Sequence, residues 1–241
     1  MFGKSQTSSD RFFIPPWHHN IAMPNQALAM KPKNKDLVLF PILNQYVQTL
    51  DLNQLPAARK TLLDDLAHFL QRSHTTDNPL NLVFICTHNS RRSQFGQIWA
   101  AVAAAYYGIQ GLGCFSGGTE VTAFNPRAVA ALQRVGLQLS PKMSSDNPHY
   151  TVRFAEGYPD LVCFSKVYDD AHNPKQEVVA MMTCDEADKN CPMIPGAVQR
   201  VALNYHDPKV ADDTPQEVAR YDERCRQIAT EMFYLFHQIT L

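Results

Sequence analysis

Three rhythms of apolar and polar positions run along this 241-residue chain. Continuous apolar runs of strand length lie at 81–86 and 177–184, with shorter ones at 113–116 and 198–203. Such runs predict strands of a parallel sheet buried on both faces. Between them apolar residues recur three and four apart, which predicts helices. Phe95, Ile98, Val102 and Ala105 mark a helix over 92–106 that stops at Gly108. Ala128, Val129, Leu132 and Val135 follow an Asn125 cap and Pro126, and end at Gly136. The longest stripe is Val218, Tyr221, Cys225, Ile228, Met232, Leu235 and Ile239. It stands behind Thr214-Pro215-Gln216-Glu217, which reads as a capping box with proline at the first helical position. The third rhythm is β-like: 150–155 and 161–167 flank Glu156-Gly157-Tyr158-Pro159 and predict a hairpin. Strands alternating with helices make an α/β, doubly wound fold.

Upstream the pattern changes. Residues 1–35 scatter polar residues and four prolines around Phe12-Phe13-Ile14-Pro15-Pro16-Trp17, and read as a poorly ordered arm. Residues 36–78 read as a helical extension to a main domain at 79–241. Within it Leu62, Leu63, Leu66, Phe69 and Leu70 make one apolar face. That face needs a partner, either the core of the main domain or a second copy of the chain, so a homo-oligomer through the 36–72 helices is one expectation.

Composition narrows the class. A formal charge of -1 offers no bulk attraction to nucleic acid or an anionic membrane. No apolar run approaches the roughly 20 residues that span a bilayer. The first twenty residues lack the apolar block of a signal peptide. The six cysteines therefore read as reduced thiols of a cytoplasmic protein.

One of those cysteines has a special setting. Cys86-Thr87-His88-Asn89-Ser90-Arg91-Arg92-Ser93 follows an apolar strand and opens a helix, where α/β sheets hold ligands. Backbone N–H groups of a loop entering a helix hold an anion, helped by the helix dipole, and the same field favours a thiolate. Arg92 adds a planar clamp for two oxygens. Asn89 tolerates left-handed backbone angles, and Ser93 can hydrogen-bond the sulfur. Only Cys86 has arginine six residues on. The expected chemistry is attack by the Cys86 thiolate on a tetrahedral oxyanion, phosphate or arsenate. A buried structural cysteine is the bland reading.

The chain here resembles the low-molecular-weight protein tyrosine phosphatase superfamily, which includes thioredoxin-coupled arsenate reductases. The resemblance covers about 80–240 and rests on this loop, on Ser116-Gly117, on Thr183 through Pro192 and on Asp207-Pro208. It implies a four-stranded parallel sheet flanked by helices, to which the hairpin and residues 1–79 are additions. His88 departs from the small glycine usual at its position and is expected to point outward. Asp207, followed by proline, matches the general acid; Asp212 and Asp213 are rivals better suited to a helix N-terminus.

A phosphatase needs one thiol. An arsenate reductase needs a second and a third, and Cys184 and Cys191 match the resolving pair the resemblance implies, with thioredoxin as reductant. Arsenate reduction is the first expectation and phosphomonoester hydrolysis the second. The latter lacks aromatic residues after Asp207-Pro208, unless Tyr205 or Tyr158 substitutes. A non-catalytic oxyanion-binding protein is the third. Zinc on Cys184, Cys191 and His206 lacks a Cys-x2-Cys spacing or a fourth ligand. Gln97 replaces an acidic residue at a family ion site, so no metal and no bound cofactor is expected. Cys114, Cys163 and Cys225 read as core.

Overall fold

The computed structural model describes residues 33–73, 79–142, 145–190 and 193–239; nearly all of the predicted arm lies outside them. In chain order the elements are α1 (Pro41–Gln48), α2 (Ala57–Ser73), β1 (Leu80–Cys86), α3 (Arg92–Tyr107), β2 (Leu112–Gly118), α4 (Pro126–Arg134) and β3 (Gln138–Pro141). Then come β4 (Tyr150–Arg153), β5 (Leu161–Cys163), β6 (Val178–Met182), α5 (Asp185–Asn190), β7 (Ala197–Ala202) and α6 (Glu217–Gln238).

β1, β2, β6 and β7 form the four-stranded parallel sheet that the resemblance implied, and their order is β2-β1-β6-β7. β1 is central, and alternation along it feeds two cores. Leu82 and Phe84 join the main cluster with α3 and α6, while Val83, Ile85 and Cys86 join a smaller one with Met182, Cys184 and Ala187 of the α5 side. Burial on both faces is why its sequence carries no polar alternation.

The apolar stripe of α2 is covered from within the chain. Leu63, Leu66, Ala67 and Leu70 are buried in the main cluster, where α2 packs on α6. The α2 face thus packs on the core of its own chain.

Two expectations need correction. The hairpin is part of a three-stranded antiparallel sheet, β3-β4-β5, because Gln138–Pro141 pairs with β4. A four-residue edge strand ending in proline carries no legible alternation. The second correction is that α6 begins at Glu217, not beside Thr214. Glu217 accepts from the Asp213 N–H at 2.7 Å and ion-pairs Arg127, while Thr214 Oγ1 donates to Ala211 O at 2.7 Å. The box is displaced one residue upstream, with Asp213 at φ 61° making the turn.

Candidate active site

The loop at 86–93 leaves the carboxyl end of β1 and enters α3. Its carbonyls turn outward. Cys86 O accepts from the Thr119 N–H at 3.2 Å, Thr87 O from Glu120 N–H at 2.8 Å, and Ser90 O from Asn125 N–H at 3.0 Å. His88 O accepts from Ser165 Oγ at 2.8 Å, and Asn89 O from Gln94 Nε2 at 3.0 Å. Among the described residues, no protein acceptor takes the N–H groups of 87–91. A run of free N–H groups at a helix start is an anion nest. The loop lies so close to β2 that a Cβ on Gly118 would stand 2.7 Å from Thr87 O and 2.8 Å from Asn89 N. Only glycine fits there.

Asn89 is the brace of the loop. It is fully buried at φ 46°, in the left-handed region expected of it. Its Nδ2 donates to Ser93 Oγ at 2.8 Å, and its Oδ1 accepts from the Lys166 N–H at 3.0 Å. Ser93 Oγ in turn lies 3.1 Å from Cys86 Sγ. Cys86 is buried and borders the smaller apolar cluster, yet its sulfur faces this hydroxyl. His88 points outward, with Nε2 3.5 Å from Glu120.

The two arginines diverge. Arg91 Nε donates to Tyr221 Oη at 2.7 Å, and its terminal nitrogen reaches Asp212 at 3.4 Å. Tyr221 donates to Asp212 at 2.8 Å, and burial pushes its phenol up to about 12. Asp212 is thus engaged by Arg91 and Tyr221. Arg92 donates to Tyr205 O at 3.0 Å and to Asp207 Oδ2 at 2.8 Å, and its buried Nε has no partner among the described residues. Asp207 stands beside Arg92 with its side chain 26% exposed, and Oδ1 accepts from the Lys209 N–H at 3.0 Å.

Cys184 lies just past β6, where its buried sulfur is 3.5 Å from Thr87 Oγ1 and accepts from the Ala187 N–H at 3.4 Å. Thr87 Oγ1 donates to Glu186 at 3.3 Å. A second thiol thus touches the residue next to Cys86. Cys191 lies outside the described residues. Cys163 and Cys225 are fully buried and Cys114 is half-buried, and burial pushes all three thiols up to about 12. Tyr205 is buried, donating to Glu231 at 2.7 Å, and is not free to flank a substrate ring.

The sequence reading missed the backing of the loop. Phe164 O accepts from Gln94, Ser165 Oγ donates to His88 O, and the Lys166 N–H reaches Asn89. These contacts span some 70 residues of chain, and no local pattern announces them.

Comparison with known proteins follows from this geometry. No family model matches the chain. It is 30% identical over 145 residues to the arsenate reductase of Bacillus subtilis, covering 60% of this chain and 86% of that protein. It is also 30% identical over 131 residues to arsenate reductase 2 of Staphylococcus epidermidis, covering 53% of this chain and 77% of that one. Among solved structures, it is similar to the thioredoxin-dependent arsenate reductase of Corynebacterium glutamicum at 17% identity and a TM-score of 0.34, over 79% of this chain and 96% of that chain.

Proposed function

The chain belongs to the arsenate reductase branch of the low-molecular-weight phosphatase superfamily, and on that premise we propose that it reduces arsenate to arsenite through three of its cysteines. The observation that carries this reading is the Cys184 sulfur 3.5 Å from Thr87 Oγ1, beside the nucleophile's loop. A hydrolase needs no thiol there, and the buried Tyr205 leaves it without an aryl platform from that residue.

Arsenate enters the nest formed by Thr87, His88, Asn89, Ser90, Arg91 and Ser93, and draws Arg92 from Asp207. The Cys86 thiolate attacks arsenic. Asp207 protonates the departing oxygen, which leaves as water, and a Cys86–arsenic bond remains. Ser93 holds the sulfur in line. Cys184, as thiolate, then attacks the Cys86 sulfur. The sulfur–arsenic bond breaks with its electron pair going to arsenic, so As(V) becomes As(III) and a Cys86–Cys184 disulfide forms. Cys191 attacks Cys184, freeing Cys86 and passing the disulfide to Cys184–Cys191. An external dithiol of the thioredoxin kind then reduces it. Among the described residues no helix is long and apolar enough to cross a membrane.

The test compares the parent with Cys184→Ser in two assays: arsenite release coupled to thioredoxin, and hydrolysis of para-nitrophenyl phosphate. Arsenite turnover is expected to fall to background in the variant while any aryl-phosphate hydrolysis persists. Unchanged arsenite turnover in Cys184→Ser would overturn the reading.

A further inference from the structure

Behind the anion loop lies a second cavity, of about 420 Å³, between α3, the edge strand β2 and the β4–β5 hairpin. None of residues 86–93 lines it. Its walls are largely apolar and aromatic, with Leu112, Phe115, Phe164 and Tyr158 among them. Set into them is Lys166, only 3% exposed. Its ammonium stands over the Phe164 ring at 4.6 Å, and among the described residues it forms no ion pair or hydrogen bond. Burial pulls its pKa below the usual lysine value.

A buried ammonium without a direct ion pair is an unfavourable arrangement in a folded core, and Asp170, the carboxylate that acts on Lys166 through space, is already held by His172. The acidic group that also lines the space, Asp160, is shared with Arg153 at 3.5 Å, and His172 at the same wall is held by Asp170 at 2.7 Å. The cavity therefore combines one positive charge that has no direct ion pair among the described residues with walls suited to a flat apolar body. Pockets that take small organic ligands have this make-up, apolar walls and few polar anchors.

We propose that this cavity binds a small aryl monocarboxylate, its carboxylate on Lys166 and its ring against Phe115 and Phe164. One cation calls for one negative charge, and Asp160 disfavours a second. The site is also joined to the loop, since the backbone N–H of Lys166 holds Asn89. Occupancy is thus felt by the brace of the anion nest.

The test is ligand-observed saturation-transfer NMR with phenylacetate, with the anion loop saturated by phosphate. The parent is expected to bind it. Phenylacetamide, the same shape without charge, is expected to bind at least about tenfold more weakly, as loss of a charge-assisted hydrogen bond implies. Lys166→Met is expected to weaken phenylacetate by a similar factor. Ala101→Phe, which fills the cavity from α3 without touching the charge, is expected to abolish binding; it keeps the test decisive should Lys166→Met fail to fold. No binding to the parent, or equal binding by parent, both variants and the amide, would overturn the proposal.

Discussion

At the scale of single residues, Asn89 carries two separable duties. Its backbone takes a left-handed angle and its side chain bridges Ser93 and Lys166. Asn89→Ala loses both: about 1 kcal/mol from the strained backbone and about 1–3 kcal/mol for each buried partner left unpaired. Asn89→Gly recovers only the backbone part. Chemical denaturation should rank parent, Gly and Ala in that order, with both variants impaired in arsenite release. Equal stability of Gly variant and parent would deny the side chain its role. The need for a left-handed residue here was legible in the sequence, since asparagine is a type that accepts it. Its partner Lys166 was not, because the contact is made by a distant insertion.

At the scale of elements, the joint between α2 and α6 is polar at its end. Arg59 lies 3.3 Å from Glu231, which also accepts from Tyr205 at 2.7 Å and Gln227 at 3.0 Å. Burial raises the Glu231 pKa despite the opposing pull of Arg59. A carboxyl raised in the folded state binds its proton more tightly there than in the unfolded chain. Its share of stability is therefore present at low pH and lost as pH rises from the unfolded value through the folded one. Glu231→Gln removes that share, so the fall in melting temperature across this acidic window should be shallower than in the parent. A steeper fall would refute the assignment. The helical stripes that form this joint were plain from their spacing, whereas the start of α6 was misread. Thr214, Pro215 and Glu217 satisfy a capping pattern in sequence, but Arg127 from α4 draws Glu217 into a different turn.

At the scale of the whole molecule, the first helices are part of the core. Leu66 is 2% exposed between α2 and the main cluster. Leu66→Ala should lower stability by about 2–5 kcal/mol, the range for a buried leucine that leaves a cavity. Urea denaturation measures it, and a loss under about 1 kcal/mol would mean that α2 folds apart from the domain.

The order of strands and helices, the central buried strand and the loop at 86–93 were determined by the chain itself, because period and local backbone preference act over a few residues. Four matters needed the tertiary structure: the partner of α2, the third strand of the antiparallel sheet, the pairing of Asp207 with Arg92, and the cavity around Lys166. Each joins residues far apart in sequence, and burial and charge select such neighbours only once the sheet has brought them together.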